Sequence, residues 1–400
     1  MKSGQITSLI LLCRCLLLGA LVAALPQAGA APYTPDDDAR VIERLPFRPG
    51  DANARELAEL RAAMAAALGD PAPALTLAQK YFDLAMARGD PRYVGYAEAI
   101  VGRFSQQPSA PLLLVRGTLR QYRHDFAGAL DDYAAAVKLD PDLAGAHAWR
   151  GAIYLVQADY PAAGKECEAL RRLGRAVLHG GCAGLTLAYT GHLDQAYQTL
   201  QQALAATNDD DQRLWLHTRL GEVAAWQGQF ATAERHYRQA LALGRDDGYL
   251  LAAWGDFLLD RGRPAEVVKQ LAAWEASDGL LLRLAEAETL LGLPAAAAHR
   301  QALADRFAAA GRRGDTTHRA EEARFHLRLN GDAPMAVTLA AANYAVQREP
   351  RDARVLLEAA VAAKAPGAAR PVLDWLQVSG FEDAGLRRLA GQLLQPGATR

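Results

Sequence analysis

Five glycines recur along the middle of the 400-residue chain, Gly117, Gly151, Gly184, Gly221 and Gly255, spaced 34, 33, 37 and 34 residues apart. Twelve residues after each stands a compact apolar side chain: Ala129, Ala163, Ala196, Ala233 and, as the one larger case, Val267. Between these markers the apolar residues follow helical spacing, and no stretch alternates long enough to form a sheet. Such a pattern confines the chain to helices packed in pairs, because a side chain larger than methyl at their closest approach pushes two helices apart. Large residues fill the space left over: Tyr154 and Leu187 on first helices, Tyr133, Leu200, Tyr237 and Leu271 on second ones. A unit of this length grows by stacking, so the chain can exceed the size at which a single compact core usually stops.

Turn signals separate the helices of each unit: His124-Asp125-Phe126, Ala158-Asp159-Tyr160, Gly191-His192-Leu193, Gly228-Gln229-Phe230 and Gly262-Arg263-Pro264. Five units from Ala110 to about Ser277 are clear, and weaker ones at 74–107, 278–311, 317–350 and 353–380 bring the count to about nine. A 34-residue period with small residues at fixed places resembles the tetratricopeptide repeat family over residues 74–380. The resemblance implies an all-α, right-handed α-solenoid of about nine antiparallel helix pairs. The organisation then reads 1–30 signal peptide, 31–51 extended linker, 52–73 N-terminal capping helix, 74–380 solenoid, 381–400 C-terminal capping helix and tail.

The leader carries its own signature. Lys2 and Arg14 precede the apolar stretch Cys15–Leu25, Pro26 breaks it, and Ala28-Gly29-Ala30 offers small residues at the spacing leader peptidase needs. The run is short of the roughly 20 residues that span a bilayer, so cleavage after Ala30 and a periplasmic or secreted location are expected, with an uncleaved anchor as the rival. Cleavage removes Cys13 and Cys15 and leaves two cysteines, Cys167 and Cys182, in an oxidising space. The solenoid geometry stacks the second helix of one unit on the first helix of the next, which favours a Cys167–Cys182 disulfide. Two buried thiols, or a metal site completed by His179, are the alternatives.

A formal net charge of -1 argues against a nucleic-acid binder. No phosphate-binding glycine loop, nucleophile elbow, zinc helix or dinucleotide fingerprint stands in a usable context, and the nine histidines form no i, i+4 pair on one helix. No enzyme activity and no cofactor are therefore expected.

In tetratricopeptide proteins the first helices line a concave groove. Carried over position by position, the resemblance nominates Tyr122, Trp149, Tyr189, Trp215, Arg219, Glu222, Trp226, Tyr249 and Asp256 as partner-binding residues, six of them aromatic. Aromatic and Arg side chains are the usual anchors of a peptide-binding surface. Each ring also has a competing reading as packing against the next unit. The Lys/Asn/Lys/Arg carboxylate clamp of chaperone-binding relatives is absent, its places being held by Leu114, Thr118, Trp149, Leu178 and Cys182. The expected function is an exported scaffold that binds a peptide or partner helix in its groove. A small-ligand or glycan-binding solenoid is the alternative, and an envelope enzyme subunit a more distant one.

Overall fold

The structure is a computed structural model that describes Asp37 and residues 52–67 and 69–394. The chain divides into two compact units, 1–54 and 55–400. The expected signal peptide, its cleavage site and all of the linker but Asp37 lie outside the described residues.

Every regular element among the described residues is helical. Helix α1 (Ala52–Ala66) is followed by nine helix pairs: α2 (Pro71–Arg88) with α3 (Arg92–Gly102), α4 (Ala110–Tyr122) with α5 (Phe126–Leu139), α6 (Ala144–Val156) with α7 (Tyr160–Arg172), α8 (Ala176–Tyr189) with α9 (Leu193–Ala205), and α10 (Asp210–Trp226) with α11 (Phe230–Leu241). Then come α12 (Gly248–Asp260) with α13 (Pro264–Leu271), α14 (Asp278–Leu291) with α15 (Ala295–Arg312), α16 (Arg319–Arg328) with α17 (Ala333–Tyr344), and α18 (Pro350–Ala362) with α19 (Arg370–Ser379) across a short 3-10 turn; α20 (Ala384–Leu394) follows. No helix among the described residues is long and apolar enough to cross a membrane.

The spaced small residues sit where the pairs close. A Cβ on Gly117 would lie 2.6 Å from the Tyr133 ring, one on Gly184 2.7 Å from Leu200, and one on Gly221 2.9 Å from Tyr237. Ala129, Ala163, Ala196, Ala233 and Val267 are wholly buried opposite. The third and sixth pairs are looser: across the pair a Cβ on Gly151 would lie 3.4 Å from Glu166, and one on Gly255 3.6 Å from Leu271. Each of the five clear turns opens on a residue in the left-handed region, glycine in three and His124 and Ala158 in two, with φ of 60° and 59°. After those two, Asp125 and Asp159 cap the next helix by accepting the Gly128 and Ala162 N–H groups, the interaction that most stabilises a helix start.

The coil winds tightly enough for later pairs to touch earlier ones. Gly89, after α2, lies against Ser277, and Gly248, at the start of α12, lies against the Met86 carbonyl. The last pair and the residues leading into it return to the third: the Arg348 N–H donates to the Val156 carbonyl at 2.7 Å, and Trp375 Nε1 donates to the Tyr160 hydroxyl at 2.6 Å. One apolar core accordingly joins residues as distant as Leu155, Leu220, Leu356 and Phe381. The first helices of the middle pairs thus face the C-terminal pairs across the inside of the coil.

Candidate functional site

The nine nominated residues fall into four groups along the inner face. Tyr122 and Trp149 meet at the ring of Phe82 from the first pair, each edge-on with centroids 6.3 Å away. All three are at least partly buried, and burial pushes the Tyr122 hydroxyl up to about 12.

Tyr189 and Trp226 form the second group, which sequence reasoning placed on a surface open to a partner. Their ring centroids are 6.0 Å apart, and the ring of Phe381 closes on both, 5.2 Å from Trp226 and 6.3 Å from Tyr189. Trp375 completes the cage 5.3 Å from Phe381. Phe381 has no solvent exposure, Tyr189 only 3%, and Trp226 is half-buried, so these rings pack mainly on the chain's own C-terminal segment. The physical reason is the tight winding: a groove lined with this much aromatic surface is covered by whatever part of the chain can reach it.

The third group is polar and partly open. Trp215, Arg219 and Glu222 share one face of α10, as their spacing of four and then three requires. The Arg219 guanidinium lies 5.5 Å from the Trp215 ring and 4.2 Å from the Tyr249 ring of α12. Its Nη1 donates to Glu222 Oε2 at 2.9 Å and to the Tyr249 hydroxyl, which in turn donates to Glu222 Oε1 at 2.6 Å. Beyond Tyr249 comes Arg351 from α18, its guanidinium 5.2 Å from the ring and its Nη2 bonded to Glu349 at 2.7 Å. Trp215, Arg219, Tyr249 and Arg351 therefore stack as an alternating ladder of rings and guanidinium groups, with Glu222 and Glu349 balancing the two charges. Cation–π contacts of this kind contribute about 0.5–2 kcal/mol each. Burial alone would lower the Arg219 pKa, but Tyr249 and Glu222 beside it reverse that, and the net shift is upward. At its two ends the ladder meets solvent: Trp215 is 36% exposed and the Arg351 side chain 54%. Arg219 Nε is buried with no hydrogen-bond partner.

Asp256 stands in the fourth group and is closed off by cations. Its two oxygens accept from Arg283 Nη2 and Arg324 Nη1, each at 2.6 Å, and Arg324 continues to Glu286 at 2.6 and 2.9 Å. Burial would raise its pKa, but the two guanidinium groups override that and hold the carboxyl far below the usual range. Asp256 ties α12, α14 and α16 together.

Cys167 on α7 and Cys182 on α8 are joined in a disulfide with Cα atoms 5.4 Å apart. Among the described residues no group of three or more His, Cys, Asp or Glu side chains is placed to hold a metal ion. Sequence reasoning missed Glu349 and Arg351, at the junction of the last two weak repeats, and Phe381, just beyond them. The local hint was a ring in the non-helical stretch Gly380-Phe381-Glu382-Asp383.

No protein-family model matches the sequence, and no curated protein matches it. Among solved structures, one similar chain is a tetratricopeptide repeat protein from Parabacteroides merdae ATCC 43184, 14% identical over 58% of this chain and 91% of that one, with a TM-score of 0.41. The chain resembles tetratricopeptide repeat proteins. The APC/C hetero-tetramer Cut9–Hcn1 is also similar, at 14% identity over 86% of this chain and 53% of that one, TM-score 0.43. Yeast Tom70 follows at 14% identity, 82% and 61% coverage, and a TM-score of 0.36.

Proposed function

We propose that this protein is a non-catalytic scaffold that holds a segment of a partner protein against the inner face of its fourth to sixth helix pairs. The observation that carries the reading is the Trp215–Arg219–Tyr249–Arg351 ladder, which is rigid in the middle and presents an indole and a guanidinium to solvent at its ends. A preorganised aromatic and Arg surface of this type suits an amphipathic peptide, since flat rings bury apolar side chains while the fixed charges orient polar ones. Its mixed charge does not suit nucleic acid, which calls for a continuous basic surface.

The protein is further proposed to be exported, with cleavage after Ala30. The charged, apolar and small-residue segments of the leader support this. So does the Cys167–Cys182 disulfide, which persists in an oxidising compartment and is rare in a reducing one.

A photo-crosslinking amino acid at position 215, introduced into the full chain in its native host, tests the binding site. The expected result is a discrete protein adduct that is absent when the crosslinker stands at Leu139, an exposed position on α5. Adducts of equal yield from both positions would refute the site, and a retained small molecule or glycan in place of a protein would establish the alternative. N-terminal sequencing of the envelope form should begin at Ala31; an intact Met1 would overturn the cleaved leader.

A further inference from the structure

The stretch between α19 and α20 packs into the inner face. Gly380 adopts φ of 68°, which ends α19 and turns the chain inward. The Phe381 ring then fills the cage of Tyr189, Trp226 and Trp375 completely. The next residue, Glu382, is exposed, but its Oε2 accepts the Leu193 N–H at 3.1 Å. Leu193 is the first residue of α9, and its N-cap His192 supplies no side-chain cap of its own, so the carboxylate occupies the positive end of that helix. Gly191 makes the approach possible: a Cβ there would lie 2.6 Å from the Gly380 carbonyl oxygen.

The hold is made by side chains. The Gly380 and Phe381 carbonyls are taken up by Arg387 of α20, at 3.0–3.1 Å. A buried aromatic anchor followed by a carboxylate at a helix start is the minimal vocabulary of peptide recognition. Any extended segment that presents an aromatic residue followed by Glu or Asp meets the same two features.

We infer that Phe381-Glu382 is an internal ligand, and that a partner segment carrying an aromatic residue followed by an acidic one takes its place by displacing it. The inference rests on the scaffold reading above and adds, beside the ladder, a second point of contact whose chemistry it assigns. It also makes the cage self-regulated, because a competing segment must first release the one already seated.

The test uses the full mature chain with its disulfide intact and a fluorescent synthetic peptide of residues 377–386. Phe381→Ala should bind the peptide at least ten-fold more tightly than the wild-type chain, and a control peptide with both Phe and Glu replaced by Ala should not bind. Adding Trp226→Ala to Phe381→Ala should abolish the gain. A folded Phe381→Ala chain with wild-type peptide affinity would overturn the inference. Should that variant fail to fold, Glu382→Ala leaves the cage filled and removes only the carboxylate. It should raise peptide affinity several-fold and speed hydrogen exchange across 379–383, and no change in either would equally overturn the inference. A wild-type dimer that Phe381→Ala abolishes would assign the cage to self-association and also overturn it. If the peptide results fail while crosslinking from position 215 persists, the internal-ligand inference falls and the scaffold reading stands.

Discussion

Trp215 and Trp226 lie eleven residues apart on the same helix, yet their replacement by alanine should cost the fold very different amounts. Trp226 is half-buried, with its ring 5.2 Å from Phe381 and 6.0 Å from Tyr189, both of them buried. Removing it takes one wall from the cage around the wholly buried Phe381, which costs up to about 3–5 kcal/mol, the range for a large aromatic residue in a packed site. Trp215 is 36% exposed and rests on Gly181, where a Cβ would come within 2.6 Å of the indole. Its removal admits water and leaves no enclosed void, so the cost should be about 1–2 kcal/mol of lost apolar contact. Urea denaturation followed by circular dichroism measures both. A double-mutant cycle of Trp226→Ala with Phe381→Ala should show a coupling of about 0.5–1.5 kcal/mol, the usual worth of an aromatic pair. If Trp215→Ala proves as destabilising as Trp226→Ala, or if Trp226 and Phe381 do not couple, the C-terminal segment does not close on the inner face and the reasoning fails.

Three further outcomes follow from the geometry. Denatured, unreduced mature protein should titrate no free thiol, and reduction of Cys167–Cys182, 15 residues apart, should lower stability by about 3 kcal/mol; two titratable thiols would contradict it. Burial beside His217, whose Nδ1 is 3.1 Å from its own, depresses His236 to about 4. The unfolded chain takes up that proton below about 6.5 while the folded chain resists, so stability should fall by at most about 3 kcal/mol as the pH drops from 6.5 towards 4. His236→Gln should flatten that part of the pH–stability curve, and an unchanged slope would rule the group out. Gly221→Ala should destabilise by about 1–2 kcal/mol through collision with the caged Tyr237 ring, whereas Gly255→Ala should stabilise by up to about 1 kcal/mol through helix propensity alone; thermal melts showing the same sign for both would refute the closest-approach argument.

The helix pairs were legible because their cause is local and periodic. Gly117 against Tyr133 and Gly221 against Tyr237 are contacts across 16 residues, repeated at a nearly fixed interval. The ladder was half legible: Trp215, Arg219 and Glu222 share a face by spacing alone, but Arg351, which extends the stack, comes from a repeat too degenerate to align. The cage around Phe381 was not legible. Its members join across 189 residues in the Glu382–Leu193 contact and 215 in the Trp375–Tyr160 contact, and no period links such positions. How tightly a solenoid winds depends on small rotations accumulated over many pairs. For that reason one face of α10 meets solvent at Trp215 and the chain's own segment at Trp226.

The central claim is that a partner protein binds the inner ladder. The most direct measurement is the affinity of the partner identified from position 215 for three purified chains: wild type, Trp215→Ala and Leu139→Ala. The account predicts a loss of about 2–4 kcal/mol in binding free energy for Trp215→Ala, roughly 30-fold to several hundred-fold in Kd, with Leu139→Ala within two-fold of wild type and all three equally helical. A Trp215→Ala chain that stays folded and binds as tightly as wild type would contradict it.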